Sequence, residues 1–169
     1  MCNVERLQPK SSQGFTLIEL VLVVAIFAIL AFTVAPYLSD SLDRRDIDLM
    51  TSQMTDALHE AQATVMSGKD NSRFGVHFES TKFVFFEGST YSAADANNVV
   101  HTFSGRVSIS AISLSPGGSC TVAVGVGNCD VHFRNHYGSP VETGSVTVIN
   151  NAGQTKTVSI NAIGVIAIN

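Results

Sequence analysis

The chain has 169 residues, and its 10 Lys and Arg against 14 Asp and Glu give a formal net charge of −4. Because nucleic-acid binding depends mainly on basic contacts to phosphate, this balance argues against a general nucleic-acid binder. Charged residues make up only 14% of the chain, which is more typical of an exported β-rich domain than of a cytosolic enzyme. The length allows one domain beside a long helix.

The first 14 residues carry two basic side chains, Arg6 and Lys10, against one acid, Glu5, and contain no apolar core. An ordinary secretory signal places its cleavage site after the apolar stretch. In this chain the apolar stretch follows Gly14. Cleavage at that glycine would therefore leave the apolar segment on the mature protein.

Residues 15–38 form an apolar run in which only Thr16, Glu19 and Thr33 are polar. About 20 apolar residues cross a bilayer as a helix, and basic residues ahead of the span favour a cytoplasmic N-terminus. A carboxylate at the centre of such a helix costs about 2.5–3.5 kcal/mol on insertion scales. The sequence therefore predicts a membrane helix whose acid has a partner. An ordinary single-pass anchor with an accidental acid is the alternative.

The order Gly14-Phe15-Thr16-Leu17-Ile18-Glu19 before an apolar run resembles the type III signal of type IV pilins and type II secretion pseudopilins. The resemblance implies that residues 1–14 are a leader, that Gly14 precedes the cleavage site, and that Phe15 becomes an N-methylated N-terminus. It also implies that Glu19 guides assembly by pairing with the N-terminal amine of a neighbouring subunit. The implied partners are other pilin or pseudopilin subunits, a prepilin peptidase and an inner-membrane assembly platform.

Beyond residue 38 the pattern becomes amphipathic, and it predicts that one helix runs from about 15 to 67. Pro36 lacks an amide donor and should kink this helix, while Gly68 is suited to end it. Residues 39–68 form the amphipathic half. Its predicted core stripe consists of Ile47, Met50, Met54, Ala57, Leu58, Ala61 and Val65.

Residues 69–169 read as a periplasmic β domain with about eight short strands, so the predicted fold is α+β: a long helix packed on an antiparallel β-sandwich-like domain. A change of phase at Ala111 indicates a β-bulge. Residues 91–100 read as a loop. The strands are predicted at 73–78, 82–86, 107–109, 112–114, 120–124, 129–133, 146–149, 157–160 and 164–168.

Cys120 and Cys129 would remain after processing, and an even pair in an oxidising compartment predicts a disulfide. Zinc ligation and a redox pair are the alternatives. His132 and His136 could form a metal pair, but surface histidines are the favoured interpretation. No catalytic motif appears, so the chain is not expected to be an enzyme or to bind a cofactor or metal.

The closing strands around Gly164 resemble those of the GspH/FimT family. This resemblance implies a minor pseudopilin-type structural subunit of a type II secretion pseudopilus, held in the bacterial inner membrane with its C-terminal domain in the periplasm and then assembled into the filament. A FimT-like minor pilin of a type IV pilus, acting in pilus assembly or DNA uptake, is the alternative. No acid follows Glu142, and only Lys156 is basic after Arg134. Both a calcium-binding scaffold and a DNA receptor are therefore disfavoured.

Overall fold

A computed structural model describes residues 14–68, 72–116, 120, 122, 129–134 and 137–169, with the backbone alone over 34–39. The chain divides into two compact units, Met1–Ser39 and Asp40–Asn169.

One helix, α1, runs from Leu17 to Met66, within two residues of the predicted bounds. Thr16 precedes it as the N-cap, because its Oγ1 accepts a hydrogen bond from the Glu19 amide at 3.3 Å. At the other end Gly68 adopts a φ of 71°. The left-handed glycine ends the helix as predicted, since such a conformation is costly for other residues.

The strands form two antiparallel four-stranded sheets. The first has the order β3-β2-β1-β5 and the second the order β4-β6-β7-β8. The first sheet consists of β1 Phe74–Glu79, β2 Lys82–Glu87, β3 Val99–Thr102 and β5 Asp130–His132. The second consists of β4 Val107–Ser115, β6 Thr143–Asn150, β7 Thr155–Ile160 and β8 Ile166–Ile168.

Most of the strand predictions are confirmed. The β1–β2 hairpin forms in register, and the β4–β6 register shifts between Ile109 and Ala111, where the bulge was predicted. Assigning Val99 and Val100 to a loop was wrong, because they begin β3 and pair with β2. The predicted strand at 120–124 lies mostly outside the described residues.

A single buried cluster joins the amphipathic half of α1 to both sheets. The predicted stripe of α1 is confirmed, since all seven of its residues are at most 8% exposed. Apolar residues of both sheets complete the core, including Phe78, Phe83, Val131, Val146 and Val158. Four phenylalanines of the first sheet are buried: Phe74, Phe78, Phe83 and Phe86.

Within the part of the chain that the structure describes, no helix is long and apolar enough to cross a membrane. The predicted span over 15–38 includes residues whose side chains lie outside the described ones, and it stays a prediction.

Candidate processing and assembly site

The Gly14–Phe15 bond lies outside α1, two residues ahead of its start. A Cβ added at Gly14 would meet nothing within 4 Å, so the fold itself does not require glycine there. Phe15 is 81% exposed. The described part of the chain leaves this bond uncovered, so packing within it does not explain a small residue at position 14.

Glu19 lies in the first turn of α1, where a negative charge interacts favourably with the helix dipole. Its amide donates to Thr16 Oγ1, but its side chain is exposed and has no ion pair among the described residues. Cleavage before Phe15 would create an amine four residues ahead of this carboxylate. Both charges would then lie at the same end of the helix.

The residues around Glu19 leave it as an isolated charge. Thr33 Oγ1 donates to the carbonyls of Ile29 and Leu30, at 3.3 and 3.0 Å, so this hydroxyl is satisfied within the helix. Within the described segment 17–33, Glu19 is therefore the side chain whose polar atoms lack a partner. A charge without a partner on an apolar helix needs either solvent or a partner from outside.

The apolar side chains of the same segment are also without partners. From Leu17 to Phe32 the large apolar side chains are between 38% and 86% exposed. Soluble monomers rarely expose a continuous apolar surface of this extent, and such surfaces contact a membrane or other proteins. The segment therefore presents a surface for lipid or for neighbouring helices, with one carboxylate near its start.

Pro36 lies within α1, which is continuous from Leu17 to Met66. Its side chain lies outside the described ones, so the predicted kink at Pro36 stays a prediction.

Cys120 and Cys129 form a disulfide. The bonded sulfurs do not fit zinc ligation, and no group of three or more potential metal ligands occurs among the described residues. The Cys129 carbonyl accepts a hydrogen bond from the Phe78 amide at 2.9 Å. The bridge therefore links Cys120 to a residue that is itself hydrogen-bonded to strand β1.

The interpretation of His132 as a surface residue was wrong. His132 is 9% exposed, and Glu142 Oε2 accepts a hydrogen bond from its amide at 2.8 Å while lying 3.2 Å from its Nδ1. Its ring also meets the edge of Phe86. His136, the other member of the suggested metal pair, lies outside the described residues.

A second histidine–carboxylate pair was missed from the sequence. His77 lies opposite Asp130 in the β1–β5 register, is hydrogen-bonded to it, and stacks on Tyr91 at 3.9 Å. Nearby, a hydrogen bond to Glu79 raises the pKa of Lys82. The alternation of strand residues places these groups on the sheet face away from α1, where they hold the loop after β2. No local sequence signal links His77 to Asp130, because the two residues are 53 positions apart.

Comparison with known families finds that residues 9–35 match the prokaryotic N-terminal methylation motif. The chain matches no curated protein and no solved structure. Proteins with this motif are structural subunits that are processed by prepilin peptidase and assemble with other pilins. The match, together with the exposed apolar helix behind the Gly14–Phe15 bond, supports a membrane-anchored subunit of the type IV pilin-like class.

Proposed function

We propose that the chain is a minor pseudopilin-type structural subunit of a type II secretion pseudopilus, assembled from the inner membrane for protein export. The observation that carries this proposal is the arrangement of residues 14–33. An uncovered Gly14–Phe15 bond precedes a capped helix whose first part exposes its apolar surface. The acid within this segment, Glu19, has no partner among the described residues.

The mechanism follows from these features. A prepilin peptidase cleaves after Gly14 and methylates the new amine of Phe15. The exposed apolar surface of α1 then leaves lipid and packs against helices of other subunits. In that low-dielectric environment Glu19 and the amine of a neighbouring Phe15 are each costly alone, and they offset that cost when they meet. The domain of residues 40–169 remains outside the filament core.

The secretion branch is favoured over DNA uptake by the distribution of charge. Arg106 is 3.8 Å from Asp43, and Lys156 is 2.7 Å from Asp48. These two basic side chains of the β domain are thus partly neutralised by acids of α1. A phosphate backbone would have to compete with those acids. The sequence resemblance of the closing segment through Gly164 to the GspH/FimT family is the reason for choosing this branch.

Processing is tested by co-expressing the full chain with a prepilin peptidase. The expected product lacks the leader up to Gly14 and begins with N-methyl-Phe15 in N-terminal mass spectrometry. Gly14→Trp should block cleavage without altering the domain's thermal midpoint, since nothing lies within 4 Å of the position, while Gly14→Ala should be cleaved partly. Recovery of membrane-extracted protein with an intact Met1 despite active peptidase would contradict the proposal.

The choice between a type II secretion system and a type IV pilus is tested by measuring which of the two filaments the processed chain enters. The processed chain should enter sheared filaments of a type II secretion system lacking its own minor pseudopilin, and should do so better than it enters type IV pili. A gene beside a secretion ATPase and a secretin would agree with this outcome. Preferential incorporation into pili would instead select the FimT-like alternative.

A further inference from the structure

The open edge of the first sheet is strand β3, which pairs with β2 on one side and with no described strand on the other. Its four residues are Val99–Thr102, and three of them, Val99, Val100 and Thr102, are exposed. A strand edge of this kind can pair with another chain unless it is blocked. β3 carries no proline and no Lys, Arg, Asp or Glu.

The direction of the free backbone groups follows from the register. Phe103 follows β3, and its amide donates to the carbonyl of Thr81, the residue before β2, at 2.8 Å. Lys82 and Thr102 are the next opposed pair, and Val84 and Val100 follow two residues on. Because hydrogen-bonded and non-hydrogen-bonded pairs alternate in an antiparallel ladder, Val100 and Thr102 direct their N–H and C=O groups away from β2.

The edge of β5, by contrast, is closed. The His132 amide donates to Glu142 Oε2 at 2.8 Å, and the His132 carbonyl accepts from the Val141 amide at 2.8 Å. In the second sheet the Ile109 amide of β4 donates to the Ser80 carbonyl, and β8 has only three residues. Strand β3, by comparison, has no hydrogen bond on its outer side to any other described segment.

A groove of about 210 Å³ runs between β3 and α1. It is lined by Gln53, Asp56, Ala57 and Glu60 of the helix and by His101 of β3. His101 stacks on Phe83 at 4.7 Å, which holds the imidazole ring in place beside the groove. Asp56 and Glu60 are exposed on its rim, so the charged side chains that line it are both acidic.

The turn before β3 contains a further unmet acceptor. Asn98 Nδ2 donates to the Ser92 carbonyl at 2.8 Å, but the Asn98 Oδ1 atom is buried and has no hydrogen-bond partner among the described residues. Buried polar atoms are normally paired, so an orphaned one calls for an explanation. It lies directly at the start of the open edge.

We propose that β3 binds an extended strand from a separate polypeptide, with basic side chains directed toward α1. Backbone groups of Val100 and Thr102 pair with that strand, and its Lys or Arg side chains enter the groove beside Asp56 and Glu60. A second copy of this chain fits less well, because pairing β3 with β3 would bring two acidic rims together. The inference concerns residues 40–169 and does not depend on the secretion function.

The test uses the full chain in detergent and a short, end-blocked, fluorescently labelled peptide in which lysine alternates with valine. Fluorescence anisotropy should show saturable binding that weakens as salt rises. A peptide with glutamate in place of lysine should bind much less, and the lysine peptide with N-methylated valine amides should lose binding because its edge cannot pair. Because only the peptide is changed in these two controls, a loss of binding cannot result from misfolding of the protein.

A protein variant tests the edge directly. Val100→Pro removes an outward N–H but no hydrogen bond to β2, and proline is tolerated on an edge strand of this kind. It should weaken peptide binding by at least about tenfold, since it removes a hydrogen bond and obstructs the edge. Val100→Thr keeps the amide and the branched shape and should bind normally. The double variant Asp56→Asn, Glu60→Gln should bind less tightly and with a weaker salt dependence.

Amide hydrogen exchange shows whether the peptide binds at β3 itself. The Val100 and Thr102 amides should exchange quickly in the free chain and slowly with the lysine peptide. Absence of binding up to millimolar peptide, or equal binding by the N-methylated peptide, would overturn the proposal. Efficient β3-to-β3 cross-linking of a Val100→Cys chain that the peptide does not reduce would also overturn it, in favour of self-association.

Discussion

Glu19→Ala should reduce incorporation into filaments while leaving the stability of the β domain unchanged. Glu19 belongs to the unit Met1–Ser39, and its side chain is exposed. The buried core begins only at Ile47 on the same helix. No contact in the described chain therefore connects this carboxylate to the packing that stabilises residues 40–169.

Glu19→Ala should affect incorporation into filaments far more than it affects the stability of the single chain. Within one chain, alanine keeps the amide that donates to Thr16 Oγ1 and loses only the favourable interaction of Glu19 with the helix dipole, about 0.3–1 kcal/mol. In a filament core the neighbouring amine would lose its counter-charge. Removing one member of a buried pair costs about 3–5 kcal/mol, so incorporation should fall by about a hundredfold or more.

The assay compares the chain in sheared filaments with the total by quantitative blotting, alongside the thermal midpoint of the β domain. Glu19→Gln should behave like Glu19→Ala, because both remove the charge. Thr16→Ala is the matched control, since it removes the cap, worth about 1 kcal/mol, and leaves the carboxylate. Incorporation of Glu19→Ala at the wild-type level would refute the reasoning. An equal defect in Thr16→Ala would assign the effect to the helix start instead.

Three further predictions concern the β domain. Replacing Cys120 and Cys129 by serine should lower stability by about 2–3 kcal/mol without abolishing the fold, because the loop that they close is short; free thiols in peptide maps of oxidised protein would contradict the bridge. Gly144→Ala should destabilise by about 2–4 kcal/mol in thermal or urea unfolding, because φ is 145° and a Cβ would overlap the Ser113 carbonyl oxygen. The control Gly153→Ala should cost about 1–2 kcal/mol, because its φ is also positive but its surroundings are open. Duplex DNA should bind no more tightly than about 10⁻⁴ M in a low-salt fluorescence titration, and micromolar binding with a steep salt slope would favour the DNA-uptake alternative.

Prediction from the sequence was most accurate where one spacing of apolar residues repeats many times. The stripe from Ile47 to Val65 recurs at helical spacing over five turns, and every predicted member is buried. The bulge at Ser110 could be predicted because both halves of β4 had to face one core, so a change of phase required an extra residue. In both cases the burial of an apolar face determined the pattern.

The missed features depend on contacts between distant residues. β3 has an exposed valine on each face, so it lacks the alternation that indicates a half-buried strand, and it follows a run typical of turns. His132 resembled a surface residue because Glu142, the carboxylate that contacts its amide and Nδ1, lies ten residues away. A histidine and an acid at that separation have no local signature. They meet only after residues 140–142 close the edge of β5.

The distribution of apolar residues separates stability from assembly along one helix. Up to Phe32 the large apolar residues of α1 are exposed, whereas from Ile47 onward the stripe is buried against the sheets. Substitutions in the first part leave the domain's core intact and change what the helix can bind. Substitutions in the stripe remove core packing, as Leu58→Ala would at about 2–5 kcal/mol. The first part of α1 therefore exposes an apolar surface that needs lipid or other subunits, whereas the stripe from Ile47 onward is already covered by the sheets. This arrangement is expected of a subunit whose domain folds alone and which functions in a filament.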